Sequence, residues 1–278
     1  MYIFKKTQEL LNFRKQQTQQ TIGFVPTMGA LHQAHLQLIK RALQENDFAY
    51  VSIFVNPLQF NDQQDLEKYP RPIQQDIELL KSIHTNALFL PDYNEIYHSG
   101  ITSDEINLTH LNSILEGPKR PGHFEGVVKV VSILFKIIQP HKSYFGLKDF
   151  QQVKLIQQLV KEKNYPIQII PCPIIREPDG LAMSSRNIHL SPGARKKATQ
   201  IYQWLLKARQ LYQEGKSIPE IQQTIIADIQ KDPCFTLDYF EIRDANDLSE
   251  IRHPSQKPLA LIAVYLDNVR LIDNLEFL

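Results

Sequence analysis

The chain has 278 residues, 42% of them apolar and 22% charged, with a formal net charge of +1. That is ordinary globular composition, long enough for one large domain or two modest ones, and its near-neutral balance argues against a main task of gripping nucleic acid. The two cysteines, Cys172 and Cys234, lack metal-like spacing, no apolar run reaches the roughly 18 residues of a membrane span, and the start lacks a signal-peptide core. A disulfide framework and a membrane partner are therefore not expected, and a reducing cytoplasm is.

Residues 5–20 read as a polar helix leading into a first strand, Ile22–Val25, a β-branched and aromatic run closed by Pro26 and Gly29. From Leu31 onward, Leu31, Ala34, Leu38, Ile39 and Ala42 recur at helical spacing. Phe48–Val55 is a nearly continuous apolar run suited to a parallel strand covered on both faces, and Pro57 ends it. A helix is predicted over Ile73–Ile83, a strand over Ala87–Leu90, and a strand with loops over Glu95–Leu115. Residues 116–126 hold three glycines, two prolines and the basic pair Lys119-Arg120, a punctuated loop that can face an anion. Then follow a helix over Val127–Ile138, a strand over Ser143–Phe145, a helix over Asp149–Lys161 with Asp149 as N-cap, and a strand over Ile167–Ile170. Strands alternating with helices predict an α/β domain, residues 1–175, with a mostly parallel sheet and helices on both faces. Beyond the Pro171-Cys172-Pro173 boundary lie a polar loop over 176–187 and a long helix over Ser191–Gln213, opened by Ser191-Pro192. A helix over Pro219–Gln230 and strands over Leu237–Arg243, Leu259–Leu266 and Val269–Ile272 complete the chain, with a tight turn at Asp267-Asn268. This second part, residues 176–278, is expected to be a smaller α+β domain.

Strand, glycine turn and helix make a βα unit whose helix start offers unpaired N–H groups and a positive dipole end to an anion. Met28, Gly29, His32 and His35 sit at that junction. Two histidines three apart lie about 60° apart around a helix, so both can address one ligand. Zinc is the rival ligand, but helical zinc pairs commonly use H-E-x-x-H, which is absent, so phosphate is the better match. Asn56 and Gln59 follow a strand at the edge where open α/β sheets bind ligands, and neutral amides there suit hydroxyls and a carboxylate; an ordinary Asx turn is the other reading. At the second strand–helix junction, Gly146–Gln152, Lys148 stands at a positive dipole end, which a bound anion explains. No G-x-S-x-G, Walker A or G-x-G-x-x-G pattern occurs, which disfavours acyl-enzyme chemistry, a P-loop kinase and a dinucleotide oxidoreductase. Donors and cations around a nucleoside triphosphate remain, an arrangement suited to attack at the α-phosphate.

Pro26-Thr27-Met28-Gly29-Ala30-Leu31-His32 through His35 resembles the histidine signature of the nucleotidyl-transferase superfamily, and Met183-Ser184-Ser185-Arg186-Asn187 resembles its KMSKS-like signature. With Val55–Phe60, Arg120–Phe124 and Lys148–Gln152 in order between them, the chain is similar to the pantoate–β-alanine ligase family over essentially its whole length. The resemblance implies a Rossmann-like catalytic domain and a smaller C-terminal domain that carries the KMSKS-like loop and covers the site. It implies condensation of (R)-pantoate with β-alanine through pantoyl adenylate, giving pantothenate, AMP and pyrophosphate. Met28, Gly29, Ala30, Leu31, His32, Gln33, Ala34 and His35 would line the ATP site, with His32 and His35 stabilising the phosphates. Gly146, Leu147, Lys148 and Asp149 would also contact ATP, Lys148 through phosphate and Asp149 through ribose. Ile175 would pack near adenine, and Met183, Ser184, Ser185 and Arg186 would close over the phosphates. Gln59 and Gln152 would hold pantoate, Gln59 also lying near β-alanine, with Asn56 close by and Arg120 and Tyr69 near the rim. Mg²⁺ would arrive with ATP, without a dedicated protein metal site, in a cytoplasmic homodimer. Two positions depart from the family pattern: Ala34 replaces the glycine of His-x-Gly-His, and Leu147 stands where an acidic or polar residue usually precedes the lysine. The other readings are a related transferase making a dinucleotide-type product and a catalytically silent nucleotide-binding protein.

Overall fold

The computed structural model, which describes residues 1–253 and 255–277, places six strands in one parallel sheet. They are β1 (Tyr2–Phe4), β2 (Ile22–Thr27), β3 (Phe48–Ile53), β4 (Ala87–Phe89), β5 (Lys142–Gly146) and β6 (Gln168–Cys172), in the order β1-β4-β3-β2-β5-β6. β2 pairs with β3 on one side and β5 on the other, so the strand order reverses there. Open α/β sheets bind ligands outside the carboxyl ends of the strands at such a switch point.

Alternation along β2 sends its side chains to opposite faces. Phe24 meets Phe135 of the helix His123–Ile138 edge to face, with ring centroids 6.4 Å apart. Val25 belongs to a separate cluster with Leu36, Ile39 and Ala42 of the helix Gln33–Glu45. Every residue of β3 is buried, as its unbroken apolar run requires. Burying one such side chain contributes about 1.5–3 kcal/mol, so these faces rather than helix propensity hold the layers together.

β1, outside the predicted elements, pairs with β4 in register Tyr2↔Ala87, an edge strand too short to show a period. Three expectations are corrected. The segment 95–115 contains no strand; it holds the short helices Tyr93–Tyr97 and Thr109–Asn112. Its connecting residues are tied to helix His123–Ile138 instead, with the Asp104 N–H donating to Ser132 Oγ at 2.9 Å and Lys136 pairing with Asp104 at 2.8 Å. The punctuated loop 116–126 holds a helical turn, Glu116–Lys119, and its end already belongs to the helix that starts at His123. The long helix over Ser191–Gln213 is two, Pro192–Lys197 and Gln200–Gln213, although Ala198 and Thr199 between them keep right-handed helical backbone.

Residues 1–147 and 151–173 form one unit; residues 148–150 and 174–278 form a second. In the second, β7 (Phe235–Asp244), β8 (Pro258–Leu266) and β9 (Val269–Glu276) make an antiparallel meander. Asp267 and Asn268 both take positive φ, 50° and 61°, as a two-residue hairpin turn of matching twist demands. Ile201, Trp204, Leu205, Ile221 and Ile225 from the helices Gln200–Gln213 and Ile218–Gln230 share a core with Ile262 and Val264 of β8.

Candidate active site

β2 ends at Thr27, whose hydroxyl donates to the Ser52 carbonyl at 2.7 Å and accepts the Gly29 N–H at 3.2 Å. The turn that follows puts Gly29 at φ 81° and Ala30 at φ 51°, both left-handed. Leu31 is buried in this turn and the helix begins at Gln33, two residues later than the apolar spacing suggests. His32 takes the N-cap position in extended backbone, and its N–H donates to His35 Nδ1 at 3.3 Å. A ring nitrogen that accepts carries no proton, so neutral His35 holds its proton on Nε2. The two imidazoles lie with centroids 4.1 Å apart. Gln33 is exposed and Ala34 half-buried at the start of the helix.

Asn56 is fully buried and caps the short 3₁₀ turn Pro57–Gln59. Its Oδ1 accepts the Leu58 N–H at 3.2 Å and the Tyr97 hydroxyl at 2.7 Å. Its Nδ2 donates to the Gly126 carbonyl at 3.0 Å and to Gln59 Oε1 at 3.2 Å. A backbone N–H only donates and a carbonyl only accepts, so the Asn56 amide has one allowed orientation. That orientation fixes Gln59 in turn: its oxygen faces Asn56, and its Nε2 lies 2.9 Å from Met28 Sδ. With all four of its hydrogen-bonding positions taken, Asn56 sets the direction of Gln59. Gln59 presents a donor, the polarity a carboxylate or hydroxyl oxygen needs.

Tyr97 has its hydroxyl pKa raised by burial, so it remains the proton donor to Asn56. Tyr69 is buried against Phe60, ring edge to face at 5.6 Å, and Arg120 lies 3.7 Å from Glu116. Gly146 ends β5, next to β2 in the sheet, and Leu147 follows it; both are half-buried. Gln152, half-buried, is in the first turn of the helix Phe150–Glu162. Its neighbour Gln151 is buried and structural, donating to the Leu111 and Ile114 carbonyls at 2.8 and 3.0 Å.

One further group stands out. Asp76, 1% exposed in the helix Ile73–Ser82, accepts the Ala30 and Leu31 N–H groups at 2.9 and 2.7 Å. Burial pushes its carboxyl above the ordinary range, against the pull of those two donors. A signal was present in the sequence: Asp76 falls between Ile73 and Leu80 on the apolar stripe of its helix.

In the second unit, Lys148 is half-buried, its carbonyl accepting Asn274 Nδ2 at 3.1 Å, and Asp149 is exposed. Residues 175–183 form a small hairpin: the Met183 N–H donates to Ile175 at 3.0 Å, and Arg176 bridges to Ala182. Arg176 anchors it. Its guanidinium meets the buried Asp273 carboxylate at 2.5 and 2.9 Å and stacks over the Tyr202 ring at 3.8 Å. Met183, Ser184, Ser185 and Arg186 follow, half-buried, with Ser184 Oγ accepting the Arg186 N–H at 3.3 Å to cap a 3₁₀ turn.

Across residues 2–276 the sequence matches the profile of the Pantoate-beta-alanine ligase family. The chain belongs to this family. A pantothenate synthetase of Azobacteroides pseudotrichonymphae is 46% identical over 96% of this chain and 95% of its own, and one of Aquifex aeolicus 44% identical over 98% and 97%. The crystal structure of the Thermus thermophilus pantothenate synthetase superposes with a TM-score of 0.93 at 38% identity, covering 100% of this chain and 99% of that one. A pantoate–β-alanine ligase of Francisella tularensis, solved as a complex with "Beta-gamma ATP" and β-alanine, gives 0.82 at 39% identity over 99% and 97%. This pantoate–β-alanine ligase chain is thus an enzyme of ATP-dependent pantothenate formation, built on the α/β sheet and the small antiparallel sheet described above.

Proposed function

We propose that the reaction runs in two displacements at the carboxyl ends of β2 and β5. A carboxylate oxygen of pantoate attacks the α-phosphorus of ATP, the bond to the β-phosphate breaks, and pyrophosphate leaves. The amine of β-alanine then attacks the acyl carbon of pantoyl adenylate and loses a proton, AMP departs, and the amide of pantothenate remains. Neither step needs a covalent enzyme intermediate, so positioning and charge stabilisation carry the catalysis.

The observation that carries this reading is the His32–His35 pair at the β2 junction, with the His35 proton placed on Nε2 by the 3.3 Å bond to Nδ1. A neutral imidazole N–H held there is a donor for oxygens that gain charge at the α-phosphate and on the departing pyrophosphate. Gln59, oriented by Asn56, supplies a donor to pantoate and then to β-alanine, and Gln152 a second amide. Met28 to Ala34 shape the nucleotide side, with Ala30 and Leu31 acting through the turn they form. Gly146 and Leu147 lead to Lys148, which addresses phosphate, and Asp149, which addresses ribose. Ile175 is assigned to adenine and Met183 to Arg186 to the triphosphate. Among the described residues no group of three or more His, Cys, Asp or Glu stands together to hold a metal ion. We assign Mg²⁺ to the nucleotide it accompanies, with phosphates and water as its ligands. No helix among the described residues is long and apolar enough to cross a membrane, and a cytoplasmic homodimer is part of the same proposal.

The test is pyrophosphate release from ATP. It should require pantoate, stop near one equivalent per site without β-alanine, and continue through many turnovers with it. Release that ignores pantoate, or ATP binding with no release under any condition, would overturn the reading and favour a silent nucleotide binder.

A further inference from the structure

The backbone N–H groups of residues 29 to 32 form an unbroken row at the β2 junction, and each meets an acceptor inside the protein. Gly29 donates to Thr27 Oγ1, Ala30 and Leu31 to the two carboxylate oxygens of Asp76, and His32 to His35 Nδ1. Turn amides at a strand–helix junction are the usual cradle for a phosphate. Here a carboxylate of the protein already occupies two of them.

Asp76 is an expensive choice for that task. It is 1% exposed, and among the described residues no lysine or arginine pairs with it; its charge is met by the two N–H groups. A buried anion behind the turn also repels triphosphate. The turn it holds is strained, since Ala30 sits at φ 51°, a region an L-residue with a Cβ avoids. Gly29 packs directly against the carboxylate, where an added Cβ would lie 3.0 Å from Asp76 Oδ2 and 3.0 Å from Ile53 Cγ2. Two acceptor oxygens for two adjacent N–H groups are what only a carboxylate offers.

We infer that Asp76 is a positioning residue for the nucleotide: its carboxylate, and not the bound phosphates, sets the Gly29–Leu31 turn, so that His32 and His35 stand ready before ATP arrives. The inference rests on assigning the β2 junction to ATP, and its first test does not. Amide hydrogen exchange on the ligand-free enzyme should show Ala30 and Leu31 already protected at least 100-fold over free peptide, with less than threefold further protection when ATP is added. Free exchange of both amides without ATP, followed by protection with it, would overturn the inference whatever variants do. Asp76→Asn, which keeps one acceptor and turns an NH₂ toward a donor, should lower kcat/KM for ATP 10- to 100-fold by raising KM for ATP, with KM for β-alanine within twofold. Adding Ala30→Gly to that variant relieves the strained φ and should recover at least fivefold of the loss. Equal KM values for both substrates with only kcat reduced would mean less folded enzyme and would refute a positioning role, as would the absence of rescue. If Asp76→Asn does not fold, the exchange measurement alone decides. Protected amides in an enzyme that releases no pyrophosphate would leave the turn assignment standing and remove the nucleotide reading instead.

Discussion

Gly126 is the position at which packing and chemistry are most directly coupled. It lies in the first turn of the helix His123–Ile138, where an added Cβ would fall 2.5 Å from the Leu58 carbonyl carbon and 2.8 Å from the Gln59 nitrogen. Ordinary carbon contacts begin near 3.5 Å, so in Gly126→Ala the Pro57–Gln59 turn has to retreat by about 1 Å. Helix propensity favours alanine by about 1 kcal/mol, and overpacking against backbone costs about 1–3 kcal/mol, so the net destabilisation is about 2 kcal/mol at most. The retreat also strains the 3.0 Å bond from Asn56 to the Gly126 carbonyl and the 2.7 Å bond from His123 Nδ1 to the Gln59 carbonyl. Gln59 then leaves its position, and a misplacement of that size costs on the order of 100-fold in rate. Steady-state kinetics should show kcat/KM for pantoate and β-alanine reduced by about that factor, while thermal melting shifts down by only a few degrees. Gly193→Ala is the control: an added Cβ there meets nothing closer than Ser191 Oγ at 4.0 Å, so it should be neutral or stabilising by up to about 1 kcal/mol. If Gly126→Ala retains kcat/KM within twofold of the parent, the account of how the helix positions Gln59 is wrong.

Three further outcomes are expected. His35→Ala should slow adenylation by about 10²- to 10³-fold, the scale of one transition-state donor, measured as single-turnover pyrophosphate release; near-parental turnover would remove His35 from the mechanism. Arg176→Ala leaves Asp273 buried without its partner and should destabilise the second unit by about 3–5 kcal/mol in urea unfolding, with a loss under 1 kcal/mol contradicting the anchor role. Glu95 accepts the Thr7 N–H at 2.7 Å and pairs with Lys6 at 3.0 Å, bonds that hold its carboxyl below the ordinary glutamate range. A depressed folded pKa adds stability that is complete above the unfolded value and lost as pH falls through the folded one. Proteolysis near residues 1–7 should therefore rise below about pH 4, and Glu95→Gln should flatten that dependence while weakening the tether by about 1 kcal/mol.

The parallel sheet was legible because its central strands are apolar runs long enough to read, Ile22–Val25 and Phe48–Val55 above all. The strand–turn–helix form of the β2 junction was legible because an apolar run, a glycine and apolar residues at helical spacing follow one another there. Two kinds of feature were hidden. Short elements such as β1 and the helix Tyr93–Tyr97 take their stability from partners 80 to 90 residues away, as in Tyr2↔Ala87 and Thr7–Glu95, and leave no local period. Residues that act through others were hidden too. Gly126 reads as loop punctuation but is a close contact beneath Gln59, and Asp76 is one carboxylate within a helix read only as a helix. The stripe on which Asp76 falls was the available clue; for Gly126 the sequence holds none.

The pairing of β1 with β4 sets an order of events during synthesis. Tyr2 and its partner Ala87 are separated by 85 residues, and the bonds are parallel, so no hairpin can form them early. At roughly 5–20 residues per second, Tyr2, Ile3 and Phe4 wait about 4–17 seconds after they are made before their partners exist. Through that interval three apolar residues with strand propensity have no edge to join, and β1 stays unpaired until β4 has been made.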